Sequence, residues 1–211
     1  MKEVLEGRMT DNLVMRLTLD TIQKELGTQT LNNVLRQAAL AEYIDNFPPD
    51  NDDLIIPLEH LHRVQLALFE LLGYRSSKGL MLLIGKEISR HGIESRSTLT
   101  HALKISVKLL PESKKIGMLL NFLVKQAEER YTINIHPAAE VQEKGDYFLF
   151  IHKQWHTSEG ISADQPVCYD LVGMISYLVE WITGSKHDIQ EIECRASGHA
   201  ADIIKIAKTR K

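Results

Sequence analysis

The sequence predicts an α+β fold in which a helical N-terminal part packs on a small antiparallel sheet. Two observations lead to this prediction. Apolar residues recur at helical spacing up to Arg130, and after Arg130 apolar and polar residues alternate in short runs that are typical of strands. Short turns separate these runs, so neighbouring strands are expected to be antiparallel rather than part of a doubly wound parallel sheet.

Helices are predicted where the helical period lies between residues that begin or end a helix. The first predicted helix ends at Gly27. The second is capped by Thr30, and Pro48-Pro49 breaks the chain after it. The third helix has Pro57 in its first turn and ends at Gly73. The other predicted helices cover residues 77–90, 95–110, 112–129 and 170–183.

Strands are predicted where the pattern alternates or where a short apolar run is bounded by turn residues. Tyr131, Ile133 and Ile135 alternate with polar residues, and Gly145-Asp146 forms a turn before a buried strand. Ser197-Gly198-His199 is interpreted as a three-residue hairpin loop. The predicted strands cover residues 131–135, 139–144, 147–151, 189–196 and 202–206.

Composition excludes several classes of protein. The chain has 211 residues, 44% hydrophobic residues and a net charge of −3, which argues against a disordered chain and against a dedicated nucleic-acid binder. Residues 1–11 lack the apolar segment of a signal peptide, and no apolar run reaches the roughly 18 residues of a membrane helix. We therefore expect a soluble protein of a reducing compartment, most simply the cytoplasm.

Nucleotide and calcium motifs are incomplete. Five residues separate Gly79 from Gly85 where a phosphate loop needs four, and Glu87 replaces the magnesium-binding Ser or Thr. The acidic turn at residues 50–53 lacks the Gly and the last Glu of a calcium loop. No dinucleotide-binding glycine motif and no nucleophile elbow occur.

The segment after the third predicted strand contains His152, Trp155 and His156. Both histidines are interpreted as surface or hydrogen-bonded residues rather than metal ligands. Trp155 is interpreted as a lid, as an interface contact or as a residue that packs against the sheet.

Two cysteines form the most informative cluster. Cys168 starts a predicted helix, whose dipole favours a thiolate, and the three-residue loop would place Cys194 opposite Asp202 with Cβ atoms about 5 Å apart. Glu191 reaches the same face only if the strand has a bulge or lies at the edge of the sheet. Spacing alone leaves three alternatives open: two buried core cysteines, one disulfide or a metal site.

Around these cysteines the sequence resembles the 4-vinyl-reductase-type, or hydrocarbon-binding, domain of stand-alone bacterial proteins. The resemblance is carried by Pro166-Val167-Cys168 and by residues 191–198, and more weakly by residues 35–40 and 43–50. It covers most of the chain. It implies an α+β fold distantly like the core subunits of the TRAPP complex, which usually pair as dimers.

In phenol-sensing members, this domain binds an aromatic effector in an apolar pocket beside a structural zinc ion. The zinc pattern there is a Cys, a Glu-x-x-Cys and a final Cys. Cys168, Glu191 and Cys194 match the first three ligands, and Asp202 stands where the final Cys is expected. The resemblance thus implies a structural zinc held by these four residues, or otherwise no cofactor.

Non-enzymatic binding or sensing of a small apolar or aromatic ligand by a homodimer is the expected function, with an unidentified protein partner. The expected pocket residues are Tyr147, Leu149, Ile151, Leu178 and Ile189. Alternatives are an enzyme or accessory subunit of (bacterio)chlorophyll or tetrapyrrole metabolism, or a dimeric assembly scaffold. The lack of a nucleotide motif and of an iron–sulfur cysteine set favours a binding domain over an enzyme. Residues 1–56 are expected to form a helical, dimer-forming extension and residues 57–211 the ligand-binding domain.

Overall fold

A computed structural model describes residues 5–95, 104–105, 107–131 and 137–211. Six helices and two antiparallel sheets are present within these ranges. The helices are α1 (Asn12–Leu26), α2 (Thr28–Gln37), α3 (Leu58–Leu72), α4 (Tyr74–Glu94), α5 (Glu112–Tyr131) and α6 (Tyr169–Thr183). The strands are β1 (Met9–Thr10), β2 (Ile56–Pro57), β3 (Ala139–Glu143), β4 (Tyr147–His152), β5 (His187–Glu193) and β6 (Asp202–Arg210).

Helix ends follow local chemistry. The Asp11 side chain accepts a hydrogen bond from the Val14 backbone N–H at 2.8 Å and caps α1, a contact that stabilises a helix by about 1 kcal/mol. Gly27 and Gly73 end α1 and α3 with φ near 80°, which residues with a Cβ rarely adopt. The sequence therefore sets these boundaries locally.

The main sheet has the strand order β3-β4-β6-β5, and every neighbouring pair is antiparallel. Phe150 in the middle of β4 pairs with Val141 of β3 and with Ile204 of β6. Strand β5 shows irregular pairing with β6 between Glu191 and Glu193. Strand β5 also lies at the edge of the sheet, so an edge position and an irregular register, the two alternatives for bringing Glu191 towards the cysteines, are both present.

Helices α4 and α6 cross at very short distance because each has a glycine at the contact. A Cβ atom on Gly85 would lie 1.9 Å from the Asp170 carbonyl oxygen, and one on Gly173 would lie 2.1 Å from the Leu82 carbonyl oxygen. The residues on either side of this crossing belong to one continuous apolar core, which also includes residues of α1 and of the sheet.

The predicted α+β class with an antiparallel sheet is confirmed. The predicted three-residue hairpin is wrong: Arg195–Ser197 forms a 3₁₀ turn, β5 ends at Glu193, and Glu193 pairs with Ile203. Cys194 therefore does not pair with Asp202. The connection between β5 and β6 is longer than predicted and includes residues that were predicted to pair as strands. Gly198 in this connection has φ 87°.

Some predictions are not addressed by the fold. The strand predicted at residues 131–135 and most of the helix predicted at residues 95–110 fall outside the described residues. The domain division at residue 56 stays a prediction. Within the described ranges, no helix is both long enough and apolar enough to span a bilayer.

Candidate functional site

A cavity of about 570 Å³ lies between the helices and strand β4. Helices α1, α3, α4, α5 and α6 contribute to its walls, which are mainly apolar and include Ile84, Leu119, Phe150 and Met174. Pockets that bind small molecules typically measure about 300–1,000 Å³ and are lined in the same way. The interior of this chain therefore has room for a small, largely apolar molecule.

A buried polar network forms one part of the cavity wall. The Asp170 carboxylate accepts hydrogen bonds from Trp155 Nε1 at 3.2 Å, from Thr157 Oγ1 at 2.8 Å and from Gln65 Nε2 at 3.2 Å. Burial raises the pKa of Asp170, and these donors oppose that shift because they favour the ionised form. Gln65, Trp155 and Asp170 all line the cavity.

Two buried histidines lie on either side of Trp155 in the same wall. The Trp155 ring lies 5.2 Å from the ring of His152 and 4.8 Å from the ring of His156, measured between ring centroids. Burial, together with the positive charges of Arg8 and Arg195, lowers the pKa of His152 to about 3. Burial likewise holds the pKa of His156 well below its usual value. Both rings are therefore neutral at neutral pH.

His156 stands out because, among the described residues, neither of its ring nitrogens has a hydrogen-bond partner. Its ring is buried, and the nearest acidic atom, Asp170 Oδ2, lies 3.6 Å from Nε2. Buried polar atoms usually have partners. A neutral imidazole with an available lone pair can coordinate a metal ion or accept a hydrogen bond from a ligand.

Sequence reasoning missed this network. Both histidines, predicted as surface or hydrogen-bonded residues, are buried in the cavity wall. The hydrogen-bonded alternative holds for His152, whose Nδ1 accepts from the Gln154 backbone N–H at 3.1 Å. No local signal identifies them, since the partners are remote in sequence: Gln65 and Asp170 are 105 residues apart. Of the interpretations of Trp155, the structure shows packing in the core between helices and sheet.

The predicted pocket residues are distributed over different surfaces. Leu178 lies on α6 and lines the cavity. Tyr147, Leu149 and Ile151 alternate with Phe150 along β4, so their side chains are on the other face of that strand, and Ile189 packs against the core from β5. The part that these five residues have in ligand binding stays a prediction.

The four predicted metal ligands come together in space. One ligand atom from each of Cys168, Glu191, Cys194 and Asp202 lies within 4.8 Å of all the others. The two sulfur atoms are 4.0 Å apart, about twice the length of a disulfide bond, and both cysteines are free, so of the three alternatives the disulfide is not formed. Their role as metal ligands stays a prediction.

The protein itself satisfies part of this cluster. Glu191 Oε2 accepts a hydrogen bond from the Cys168 backbone N–H at 2.9 Å, and Asp202 accepts from the Arg195 backbone N–H at 2.8 Å and from Ser158 Oγ at 2.7 Å. Burial raises the pKa of Glu191 to about 9 and that of Asp202 to about 7. The hydrogen bond from Cys168 lowers the pKa of Cys194 to about 5.

Comparison with known proteins assigns the fold. No family model and no curated protein matches this sequence. Among solved structures, the Fe(II) unliganded H-NOX (heme nitric oxide/oxygen-binding) protein from K. algicida has a TM-score of 0.62 at 13% identity, covering 95% of this chain and 97% of that chain. The S. oneidensis H-NOX protein in the Fe(II)NO state has a TM-score of 0.56 at 12% identity, covering 93% and 97%.

A third match is a structure described by the modulation of heme redox potential through protein-induced porphyrin distortion. Its TM-score is 0.52 at 10% identity, and the match covers 93% of this chain and 99% of that chain. The three matches span nearly the full length of both chains. The likeness is therefore one of the whole fold and not of a shared fragment.

These comparisons correct two predictions. The resemblance to a 4-vinyl-reductase-type domain is wrong, because the matching structures are H-NOX domains. The cofactor prediction, a structural zinc ion or otherwise none, is wrong as well, because the proteins with this fold are described with Fe(II) and heme. A short Cys and Glu-x-x-Cys pattern is compatible with more than one fold, which explains the error. The chain has the fold of the H-NOX domains.

Proposed function

We propose that this chain is a non-enzymatic binding domain that takes up a planar, largely apolar cofactor of the heme class in its cavity. The observation that carries the proposal is the pairing of an apolar cavity of about 570 Å³ with the buried His156 ring in its wall. The fold shared with H-NOX domains, which are described with Fe(II) and heme, supports the same ligand class.

The residues present fit such a group. Heme iron is commonly held by a histidine, and a neutral imidazole is the form that coordinates metal. His156 is neutral and buried, and neither ring nitrogen is engaged in a hydrogen bond among the described residues. A bound heme supplies an iron position at which a small ligand can be held. His156 is the described residue that we assign as the iron ligand.

The remaining wall residues bind and shield the ligand. Phe150 and Leu171 offer apolar surface, and the indole of Trp155 covers the His156 ring while its N–H is held by Asp170. Apolar contact of this kind contributes roughly 25 cal/mol for each Å² removed from water. It also excludes water from the neighbourhood of the histidine.

A second candidate ligand is an uncharged apolar or aromatic molecule without iron. The observation that favours it is the charge of the wall: among the described residues that line the cavity there is no Lys or Arg. A heme carries two carboxylates, which a cationic wall would pair, whereas an uncharged aromatic molecule needs no such partner. In that case His156 is the group that accepts a hydrogen bond from the ligand.

Dimerisation and the protein partner are also proposals. Leu109, Met118 and Phe122 are exposed apolar residues, which agrees with an interface formed by the helices before Arg130. Light scattering coupled to size-exclusion chromatography checks the proposal. A mass of about 24 kDa across the concentration range would contradict the dimer, since the chain itself weighs 24.0 kDa.

The ligand class is tested by titrating the purified, ligand-free protein with hemin and following the absorbance band of bound heme. We expect saturable 1:1 binding by the wild type and a shifted band with weaker binding for His156→Ala. The matched control is His91→Ala, because His91 is half-buried on α4 and does not line the cavity. Separate variants of His101 and His136, which lie outside the described residues, identify the iron ligand if His156→Ala binds normally.

A parallel titration uses an uncharged fluorescent aromatic probe. Tight binding of the probe with no saturable hemin binding supports the second candidate over heme. Absence of binding in both titrations contradicts the proposal that the cavity holds an apolar ligand.

A further inference from the structure

The Asp170 side chain is fixed more firmly than a single hydrogen bond would allow. It starts helix α6 and receives donors from three directions, Trp155 Nε1, Thr157 Oγ1 and Gln65 Nε2, the last of these from helix α3. A carboxylate with three donors has little freedom to rotate. These donors therefore restrain the position of its oxygens in the cavity wall.

His156 lies beside this fixed carboxylate. Its Nε2 atom is 3.6 Å from Asp170 Oδ2, slightly beyond hydrogen-bond distance, and both side chains are almost completely buried. Histidines that bind a metal or a reacting group usually donate their other ring N–H to a carboxylate, which fixes the tautomer and the ring orientation. Such contacts are often long in a ligand-free protein and shorten when the ligand binds.

The other neighbours of the ring do not compete with Asp170 for this proton. The Trp155 ring stacks on His156 at 4.8 Å with a tilt of 44° and offers no lone pair acceptor. The contribution of His156 to the pKa of His62 comes from the His156 backbone. Within the described structure, Oδ2 is thus the acceptor that faces a ring nitrogen of His156.

We propose that Asp170 is a positioning residue: it keeps the ring proton of His156 on Nε2, so that Nδ1 presents its lone pair to the group bound in the cavity. The identity of that group rests on the proposed function, whereas the tautomer belongs to the ligand-free protein and does not. Thr157, Gln65 and Trp155 contribute by holding the carboxylate in place.

The tautomer is measured by ¹⁵N NMR of histidine-labelled, ligand-free full-length protein. We expect His156 to carry its proton on Nε2 alone, with that proton shifted downfield by the carboxylate. In Asp170→Asn the anion is lost, so the proton should move upfield and the fraction protonated on Nδ1 should rise. In the control Asp164→Asn, which removes an exposed carboxylate outside this network and leaves all three donors of Asp170 in place, the wild-type tautomer should persist.

Hemin binding supplies a second readout. Loss of the carboxylate partner of a ligating histidine typically weakens binding 10- to 100-fold, so we expect a loss of at least about tenfold in Asp170→Asn. A wild-type His156 protonated on Nδ1 overturns the inference without any variant. So does an Asp170→Asn protein with unchanged tautomer, proton shift and affinity. If the wild type shows the expected tautomer but does not bind hemin, the proposed function fails and the role of Asp170 stands.

Discussion

The crossing of α4 and α6 gives a quantitative prediction about stability. A Cβ atom placed on Gly85 would lie 1.9 Å from the Asp170 carbonyl oxygen and 2.9 Å from the Met174 backbone nitrogen. Ordinary contact begins near 3.4 Å, so Gly85→Ala requires the two helices to separate by about 1.5 Å. Both opposing atoms belong to the backbone and cannot rotate away. The clash must be relieved by moving a whole helix.

Overpacking of this kind costs about 1–3 kcal/mol, and occasionally more, even though Ala is a better helix former than Gly by about 1 kcal/mol. We therefore expect Gly85→Ala to lower the free energy of unfolding by about 2 kcal/mol. The matched control is Gly79→Ala on the same helix, where a Cβ would meet nothing within 4 Å. This control should gain up to about 1 kcal/mol.

Equilibrium urea unfolding measures both variants. With a slope of about 2 kcal/mol per molar urea, the midpoint of Gly85→Ala should fall by roughly 1 M and that of Gly79→Ala should rise slightly. An equal change in the two variants would refute the reasoning, because helix propensity alone would then explain both. Since Gly85 also lines the cavity, hemin binding by Gly85→Ala should weaken, while Gly79→Ala should bind like the wild type.

Three further outcomes are expected. Burial lowers the pKa of His152 to about 3 in the folded protein, compared with 6.5 in the unfolded chain. Below pH 6.5 the unfolded chain therefore binds a proton at this ring that the folded protein does not bind. As the pH falls from 6.5 towards 3, the free energy of unfolding decreases. Between pH 7 and pH 5 the wild type should lose about 2 kcal/mol more in urea unfolding than His152→Gln, and equal losses would contradict the assignment. Arg195→Met leaves the buried carboxylate of its ion-pair partner Glu159 unpaired and should cost about 3 kcal/mol in the same assay; the double variant Arg195→Met/Glu159→Leu should recover most of it. Leu178→Trp places a large ring in the cavity wall and should reduce hemin affinity more than tenfold. The control Leu149→Trp on β4, outside the cavity, should leave hemin affinity unchanged. Equal hemin affinities of the two variants would argue against the cavity as the binding site.

The fold class could be predicted because its signals are local. The helix Asn12–Leu26 ends where predicted, at Gly27, and the Asp11 side chain caps its start. The conformation of the β5–β6 connection could not be predicted in the same way. Residues 195–199 are compatible with a tight hairpin and with the observed 3₁₀ turn. The observed turn makes contacts that are remote in sequence, such as the hydrogen bond from the Ala163 N–H to the Ala196 carbonyl and the ion pair of Arg195 with Glu159.

The candidate site was harder to predict than the fold. Strand β4 has apolar residues on both faces, so alternation separates Leu149 from Phe150 without indicating which of them faces the cavity. The burial of His152 and His156 could not be predicted, because the polar network beside them joins residues as far apart in sequence as Gln65 and Asp170. The set Cys168, Glu191, Cys194 and Asp202 was implied by the resemblance to the hydrocarbon-binding domain. Its members do come together, although the register predicted from spacing for Cys194 and Asp202 is wrong.

Strand β6 has a consequence for the order of assembly. It is the last of the four strands along the sequence, yet it lies between β4 and β5 and pairs with both. Until residues 202–210 are in place, β4 has an unpaired edge that includes Phe150, and the sheet wall behind the cavity is incomplete. During synthesis on the ribosome, the chain should therefore bind its ligand only after β6 has emerged. A nascent chain stalled before that point should expose the unpaired backbone groups of β4, to which chaperones can bind.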